Sequence, residues 1–434
     1  MTFDEAVQYL LSLGHETLAI KLGLDNVRRL LDALGRPEDS YPLVQIAGTN
    51  GKGSTAAMLA AVCRAASVRA GLYTSPHLIS LTERVSLNGA SIAPADFARH
   101  TTTVRDAALK LNDVTGALPT FFEQVTAVAL VAFRETGVQL AILETGLGGR
   151  LDATTAAGAQ TAAITPVALD HQEYLGHTLA EIAAEKAAIV HGGTRAAVIS
   201  PAQPSEALRV ILARCREVGV RPRLATERIQ VHSAEDRGRL RATFQTEQDV
   251  YPHVLLALRG RHQLSNAVTA IALAEALREQ GFALTRAAII EGVESARHPG
   301  RLELVPGAPP ILFDGAHNPA GARALRAYLD EFAHAPVTLV FGAMADKDLA
   351  QLASTLFPAA DQIILTRPSN PRAARPDKIA RFVPTGFDSH KVSLADDVGD
   401  ALRRAREQTH DGLVCVTGSL YLVGEAKAWL AGES

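Results

Sequence analysis

A glycine-rich turn between an apolar run and a helix start limits the possible folds of this chain more than any other feature. Val44–Ala47 has the composition of a buried strand, and Gly48–Ser54 follows it directly. Consecutive N–H groups in such a turn point at an anion, the helix N-terminus adds partial positive charge, and Lys52 can reach nucleotide phosphates. The spacing departs from G-x-x-x-x-G-K-[ST], because Ile46 replaces the first glycine and Gly53 follows the lysine. We expect ATP or GTP here; the alternative is a glycine turn that only joins strand to helix.

The chain has 434 residues, which is too long for one ordinary core and suggests two domains. Strand-like runs alternate with helix-like stretches along most of it, which predicts an α/β fold with mostly parallel strands. The segment Arg297–Arg301 comes after a stretch with a clear helical pattern and before a new series of strand-like and helix-like stretches. We therefore predict an ATP-binding domain over residues 1–296 and a smaller Rossmann-like α/β domain over residues 297–434.

Composition excludes several classes of protein. A net charge of −3 offers no electrostatic reason to expect a nucleic acid or an anionic membrane as a partner. Cys63, Cys215 and Cys415 lie far apart, so neither a disulfide framework nor a zinc site is predicted. The first ten residues carry acids where a signal peptide carries bases, and no apolar run reaches membrane-helix length. We expect a cytoplasmic protein.

Polar residues directly follow three of the predicted strands. Glu144 precedes a glycine-rich stretch, Asp170 and His171 follow the next strand, and Asp314 is followed by His317. In an open parallel sheet, ligands bind at the carboxyl ends of the strands. Bound ATP needs Mg²⁺, which acidic oxygens and an imidazole can hold. For any one of these residues, a helix cap or a buried hydrogen-bonded pair is the alternative.

One lysine lies in an apolar position. The pattern of residues 179–190 predicts a helix whose apolar arc contains Leu179, Ile182, Ile189 and Val190, with Lys186 in its middle. Burial lowers the pKa of a lysine and leaves a neutral amine that can react with carbon dioxide to form a carbamate anion. The alternative is a lysine whose stem packs while its ammonium group reaches water.

Together these motifs resemble the folylpolyglutamate synthases and bifunctional dihydrofolate synthases of the Mur ligase superfamily. The resemblance covers most of the chain and rests on motifs that stand in the family's order: Ala47–Ser54, Thr74–His77, Thr82–Val85, Phe121–Glu123, Glu144–Thr154, Leu169–His171, Glu185-Lys186, Gly260–Gln263, Asn266-Ala267, Pro299–Arg301, Asp314–Pro319, Asp346–Asp348 and Gly418-Ser419. It implies a P-loop ATPase domain of the Mur ligase type, followed by a glutamate ligase domain.

The resemblance also implies roles for individual residues. ATP would be bound by Thr49, Asn50, Gly51, Lys52, Gly53, Ser54, Asn266, Arg301 and Asp314. Two Mg²⁺ ions would be held by Ser75, Glu144, His171 and Lys186, the last matching the family's carbamylated lysine. Lys52, Lys186 and His317 would be catalytic. The folate or pteroate site would contain Leu22, Gly23, Leu24, Thr120, Phe121, Phe122, Glu123, Leu151, Asp152 and Ala153.

The implied reaction forms an amide in two steps. The carboxylate of dihydropteroate or of a reduced folate attacks the γ-phosphate of ATP, and the amine of L-glutamate then displaces phosphate from the acyl phosphate. Thr155 departs from the family pattern, which has asparagine at this position. Polyglutamylation alone, a Mur-type ligase for another acid, and a non-catalytic nucleotide-binding protein are the alternatives. We expect a monomer.

Overall fold

The computed structural model describes residues 1–14, 23–225 and 228–433. The chain divides into two compact units. The N-terminal unit contains Met1–Gln230, Thr243–Val254 and Ser265–Ala296, and the C-terminal unit contains Val231–Ala242, Leu255–Leu264 and Arg297–Ser434. Among the described residues, no helix has the length and hydropathy that crossing a bilayer requires.

The N-terminal unit is built on an eight-stranded sheet. Its strands are β1 (Leu43–Ala47), β2 (Ala70–Tyr73), β3 (Val85–Leu87), β4 (Ala90–Ser91), β5 (Leu140–Glu144), β6 (Thr161–Ile164), β7 (Ala196–Ile199) and β8 (Pro222–Leu224). They lie in the order β4-β3-β2-β5-β1-β6-β7-β8. Only the pairings of β3 with β2 and of β3 with β4 are antiparallel. All residues of β1, β5 and β6 are buried, as expected for central strands of a parallel sheet.

Helices connect these strands. They are α1 (Phe3–Ser12), α2 (Asp25–Ala33), α3 (Lys52–Ala65), α4 (Pro94–Thr115), α5 (Phe121–Glu135), α6 (Gln172–Leu175), α7 (Leu179–Ala187), α8 (Ser205–Glu217), α9 (His262–Glu279) and α10 (Arg286–Ser295). Between α8 and α9, strands β9 (Arg228–Glu235), β10 (Arg239–Gln245) and β11 (Val250–Leu255) form a separate three-stranded sheet. Its residues are divided between the two units.

The C-terminal unit contains a six-stranded sheet in the order β12-β13-β17-β14-β15-β16. Its strands are β12 (Glu303–Val305), β13 (Ile311–Asp314), β14 (Val337–Phe341), β15 (Gln362–Leu365), β16 (Val392–Leu394) and β17 (Leu413–Thr417). Its helices are α11 (Pro319–Phe332), α12 (Leu349–Leu356), α13 (Pro376–Ile379), α14 (Val398–Gln408) and α15 (Leu420–Glu433). All pairings except that of β12 with β13 are parallel.

The predicted α/β class, with mostly parallel strands, is therefore confirmed in both units. The parallel arrangement has one consequence for function. The carboxyl ends of β2, β5, β1 and β6 lie side by side on one edge of the N-terminal sheet. Side chains that follow these strands are far apart in sequence but close in space, and ligands of α/β proteins bind at such edges.

Helix α3 packs closely against α10. A Cβ atom at Gly292 would collide with the backbone N and Cα of Val62, so the two helix backbones leave no room for a side chain. This contact fixes the helix that starts at Lys52.

Gly292→Ala is expected to destabilise the protein by about 2 kcal/mol, because α10 must move away from α3. Gly432→Ala is the matched control, since Gly432 is also helical and its added Cβ would meet nothing within 4 Å. The control is expected to be neutral or slightly stabilising. Urea unfolding of both variants measures the difference, and equal stabilities would contradict the close contact.

Candidate active site

The glycine-rich turn of residues 48–51 connects β1 to α3, as the sequence predicts. Gly51 has a φ of 90°, in the left-handed region that favours glycine, and it precedes the first residue of α3. A Cβ at this position would also collide with the side-chain carboxamide of Asn266. Lys52 Nζ donates to the carbonyls of Gly48 (3.1 Å) and Thr49 (3.2 Å). The structure thus brings together Gly51, Lys52 and Asn266, three residues predicted to bind ATP.

The backbone N–H groups of Thr49 and Asn50 form hydrogen bonds within the protein. Both donate to the carbonyl of Pro166, at 3.0 and 3.3 Å. The Thr49 hydroxyl also donates to the carbonyl of Ala168 and accepts from its N–H, both at 3.0 Å. These bonds tie the turn to the segment that leads to His171. The N–H groups of Gly51 to Ser54 lie instead around the first turn of α3, where a helix has no internal acceptors for them.

Ser75 and Glu144 meet where β2 and β5 end. Glu144 is the last residue of β5 and is 7% exposed. The Ser75 N–H donates to Glu144 Oε2 at 3.3 Å. Ser75 Oγ is buried and has no hydrogen-bond partner among the described residues. A buried hydroxyl without a partner beside a carboxylate fits the oxygen ligand set of a Mg²⁺ ion.

His171 follows β6 and has a φ of 49°, which is uncommon for a residue other than glycine. Its N–H donates to Asp170 Oδ1 at 2.9 Å, and its Nε2 lies 3.9 Å from the same oxygen. Within the described residues, no three His, Cys, Asp or Glu side chains form a metal-binding group. The predicted metal ligands include only two residues of these types, Glu144 and His171, and the other two are Ser75 and Lys186.

Lys186 is buried on α7, with 4% of its surface exposed. Helix α7 ends at Ala187, three residues before the predicted end, but Ile189 and Val190 are still fully buried. Burial, helped by the positive charge of Lys52, lowers the pKa of Lys186 to about 7, while Asp170 and other acids oppose the shift. The lysine therefore carries a substantial fraction of neutral amine near pH 7, which is the form that reacts with carbon dioxide.

The glycine-rich loop after β5 packs directly against α7. A Cβ at Gly149 would lie 2.7 Å from the Glu185 carbonyl oxygen and 3.0 Å from that of Lys186. The Arg150 N–H donates to the same Glu185 carbonyl at 2.9 Å. At the other end of the loop, a Cβ at Gly146 would lie 2.5 Å from Cζ of Phe122. Glycine is required at both positions so that the loop can join α5 to the helix that carries Lys186.

The loop is also held by Gln45 in the centre of β1. This amide is 1% exposed, and its Nε2 lies within hydrogen-bond distance of the hydroxyls of Thr145 (3.1 Å), Thr154 (2.9 Å) and Thr155 (2.8 Å). Thr155 donates in turn to the Gly149 carbonyl at 2.6 Å. The departure from asparagine at Thr155 is thus accompanied by a specific network. Sequence reasoning missed Gln45, although a polar amide within an apolar strand was a visible signal.

Several residues predicted to contact folate have structural roles in the protein. Thr120 and Glu123 form the capping box of α5, with Glu123 Oε2 accepting from the Thr120 N–H at 2.7 Å. The buried Asp152 carboxylate accepts from the Leu147 N–H (2.8 Å) and the Thr154 N–H (3.0 Å). Burial raises the pKa of Asp152, and these hydrogen bonds oppose the shift.

The apolar members of the predicted folate site lie in one cluster. Leu24, Phe121, Phe122 and Ala153 all pack in the same apolar cluster of the N-terminal unit. Phe122 is half-buried, and its ring centroid lies 6.1 Å from that of Tyr73. Gly23 and Leu151 are half-buried, and Leu22 lies outside the described residues. The half-exposed Phe122 ring is the best candidate for stacking on a flat heterocycle.

Arg301, Asp314 and His317 are brought together within the C-terminal unit. Asp314 ends β13 and accepts from the Leu302 and Ala316 N–H groups, at 2.9 and 3.0 Å. Burial raises the pKa of Asp314, and the charge of Arg301 opposes the shift. The carbonyl of Gly315 accepts from Arg301 Nη1 at 3.3 Å and lies 2.8 Å from His317 Nδ1. These residues form a second polar group at the carboxyl end of a parallel strand.

Lys186→Met is expected to remove a pH dependence of stability. The unfolded lysine has its ordinary pKa of about 10.4, whereas the folded one has a pKa of about 7. Between these values only the unfolded state binds the proton, so wild-type stability rises with pH. From about pH 7.5 to about pH 9.5 the wild type should gain about 2 kcal/mol relative to the variant, measured by urea unfolding in buffer free of carbon dioxide. Parallel pH profiles would contradict the buried, uncharged amine.

Gln45→Met is expected to cost about 1–3 kcal/mol, because the two N–H groups of the amide, which face three threonine hydroxyls, are lost while the side-chain volume is kept. Thr155→Val removes one of these hydroxyls at constant shape. A double-mutant cycle of the two changes, followed by urea unfolding, should give a coupling free energy of about 1 kcal/mol. Strictly additive effects would mean that the two residues do not act as a network.

Comparisons with known proteins agree with this architecture. Residues 46–274 match the Mur ligase middle domain, and residues 300–420 match the Mur ligase glutamate ligase domain. The "Dihydrofolate synthase/folylpolyglutamate synthase" of Mycobacterium tuberculosis is 33% identical over 97% of this chain and 92% of the relative. A "Probable bifunctional folylpolyglutamate synthase/dihydropteroate synthase" of Halobacterium salinarum is 37% identical over 98% of this chain, which spans only about half (51%) of that longer relative.

Solved structures of folylpolyglutamate synthases are also similar to this chain. The Mycobacterium tuberculosis folylpolyglutamate synthase complexed with ADP superposes with a TM-score of 0.90 at 32% identity, covering 98% of this chain and 97% of the other. The bifunctional folylpolyglutamate synthase/dihydrofolate synthase with Mn, AMPPNP and L-glutamate bound has a TM-score of 0.84 at 29% identity, covering 99% and 98% of the two chains.

Proposed function

Because this chain belongs to the Mur ligase superfamily, and within it to the folylpolyglutamate and dihydrofolate synthases, we propose that it is an ATP-dependent ligase that adds L-glutamate to folates. The observation that carries the proposal is the grouping around one sheet edge of the phosphate turn, the Ser75–Glu144 pair and the buried Lys186. A nucleotide site, a metal site and a lysine suited to carbamate formation together serve phosphoryl transfer to a carboxylate.

We assign nucleotide binding to residues of the phosphate turn and to two residues of the C-terminal unit. We assign the ATP phosphates to residues 49–54, with the N–H groups of Gly51 to Ser54 as donors and Lys52 as the charge on the terminal phosphates. Asn266, whose carboxamide lies against Gly51, supports the turn. Within the C-terminal unit, Arg301 and Asp314 are assigned to nucleotide binding and His317 to catalysis.

Divalent metal is assigned to Ser75, Glu144, His171 and carbamylated Lys186. The Ser75 hydroxyl lacks a partner among the described residues and lies beside the Glu144 carboxylate, so the residues present fit Mg²⁺. When bound, Mg²⁺ neutralises phosphate charge and orients the reacting groups. The protein's own contribution is to keep the Lys186 amine uncharged and buried, because only that form becomes an anionic carbamate ligand.

The proposed reaction has two displacements. A carboxylate oxygen of dihydropteroate, or the γ-carboxylate of a reduced folate, attacks the γ-phosphorus of ATP, and the bond to the bridging oxygen breaks to release ADP. The amine of L-glutamate then attacks the acyl carbon, loses a proton, and phosphate leaves with the electron pair of the broken C–O bond. Lys52 and Arg301 offset the negative charge that develops on the transferred phosphoryl group.

The apolar cluster that contains part of the predicted folate site favours activity on both substrates. Leu24, Phe122 and Ala153 pack together, and the Phe122 ring is accessible to a flat heterocycle. The polar contacts expected from Thr120, Glu123 and Asp152 are less direct, because their side-chain oxygens already cap α5 or hold the glycine-rich loop. The alternative is polyglutamylation alone. We assign residues 1–296 to ATP and folate binding, residues 297–434 to the glutamate ligase domain, and the protein to the cytoplasm.

Product analysis tests the proposal directly. Purified protein is incubated with Mg-ATP, L-glutamate and either dihydropteroate or tetrahydrofolate, and products and ADP are followed by mass spectrometry. Glutamylated products from both acids are expected. Product from tetrahydrofolate alone would restrict the enzyme to polyglutamylation, and product from neither would refute the proposed function.

Ser75→Ala should lower kcat by about tenfold or more, because a ligand of the metal is lost. Ser205→Ala is the control, since Ser205 is an exposed serine in the first turn of α8. Lys186→Ala should bind ATP but lose turnover. The measurement is initial rate against Mg²⁺ concentration, and wild-type rates from both site variants would remove these residues from the mechanism.

A further inference from the structure

A strongly basic segment follows β15 in the C-terminal unit. Residues 366–382, here called the basic strip, contain five cations and one acid in a chain whose net charge is −3: Arg367, Arg372, Arg375, Lys378 and Arg381, against Asp377. None of these cations belongs to the nucleotide, metal or folate residues assigned above. The strip therefore carries charge that the proposed reaction does not use.

The strip lies at the functional edge of its sheet. It starts where β15 ends, and its residue Ala373 forms a β-bridge with Met344 in the loop that follows β14. The Ala345 N–H donates to the Arg372 carbonyl (2.9 Å), and the Ala374 N–H to the Ala343 carbonyl (2.8 Å). Since β13, β14 and β15 run parallel within one sheet, the strip borders the same carboxyl edge as Asp314.

The backbone of the strip is anchored while its cations face solvent. Ala374 and Ile379 are buried in the core of the unit. Arg367, Arg375, Lys378 and Arg381 are exposed. A fixed backbone lowers the backbone part of the entropic cost of binding, while each exposed cation still loses rotamer freedom when a ligand is bound.

Acids neutralise only part of this charge. Arg372 pairs with Asp346 at 3.0 Å, and Arg375 with Asp377 at 2.9 Å. Glu425 also touches the strip, where it accepts from the N–H and hydroxyl of Ser369. Among the described residues, Arg367, Lys378 and Arg381 form no ion pair within 4 Å, although the charge of Arg381, after the Arg375 hydrogen bond, helps to lower the pKa of Asp377. Three exposed cations thus remain for an external anion.

The ligand should carry several carboxylates on a flexible chain. Every cycle of γ-glutamylation leaves one free α-carboxylate on the product, so negative charge increases by one per residue added. Arginine binds carboxylates with two parallel hydrogen bonds, and lysine binds them as a point charge. A single incoming glutamate has too few carboxylates to use all three cations of a strip that spans 17 residues.

We propose that the basic strip binds the α-carboxylates of the poly-γ-glutamate tail on folate substrates that have already been extended. This rests on the proposed function, because it names a further part of the substrate. The strip acts on substrate binding and not on the chemical step. It makes longer tails better substrates than short ones at low ionic strength.

The test compares substrates of different tail length. The strip variant is Arg367→Gln/Lys378→Gln/Arg381→Gln, and the control is Arg29→Gln/Lys110→Gln/Arg209→Gln, which removes three exposed cations from the N-terminal unit. For tetrahydrofolate with five glutamates, kcat/KM of the strip variant should fall at least about tenfold, mainly through KM. For the monoglutamate it should stay within about twofold, and the control should match the wild type. The wild-type preference for the long tail should fade between about 50 and about 300 mM KCl.

Direct binding separates this proposal from the proposed function. A fluorescein-labelled penta-γ-L-glutamate without a pteroyl group should bind the wild type and the control, by fluorescence anisotropy, but not the strip variant. This outcome supports the strip even for a protein without ligase activity. Equal binding by all three proteins, an unchanged tail-length profile, or loss of monoglutamate turnover in the strip variant would overturn the proposal. Tighter binding of a single-stranded oligonucleotide of equal charge would overturn it in favour of a nucleic acid.

Discussion

The contact between Gly149 and the backbone of α7 is the constraint on which the active-site region depends. The loop backbone touches the carbonyls of Glu185 and Lys186, so any side chain at this position would push away the helix that carries the buried lysine. The same loop begins at Glu144 and ends at Thr155, where Gln45 joins it to the central strand. One short segment therefore sets the distances between a carboxylate, a buried amine and the sheet.

The electrostatics of this region oppose the protonation of Lys186. Burial disfavours a charge on Lys186, and the positive charge of Lys52 adds to the cost of protonating it. The proposed carbamylation of Lys186 would convert the neutral amine into an anion, which the positive charge of Lys52 would stabilise. The proposed site would therefore gain favourable interactions when carbon dioxide and metal are bound, whereas the buried amine alone lowers protein stability.

The phosphate turn, the parallel sheets and the buried lysine could be predicted from sequence because each leaves a local pattern: glycine spacing, continuous apolar runs, and one polar position in an apolar arc. The Gln45 network could not be derived, since its partners lie about 100 residues away and only the strand order brings them together. The structural roles of Glu123 and Asp152 were hidden for a related reason. In a sequence, an acid near the start of a helix is equally compatible with a helix-capping role and with a ligand-binding role. Only its burial and its hydrogen bonds in the structure distinguish the two roles.

The paired hydrogen bonds between Thr49 and Ala168 join two turns that follow neighbouring strands. Together with the bonds from Thr49 and Asn50 to Pro166, they connect the turn after β1 to the segment leading to His171. A displacement of one turn would therefore be transmitted to the other directly through these hydrogen bonds. The entropic cost of aligning these two turns is met during folding. The free energy of nucleotide binding therefore does not have to offset it.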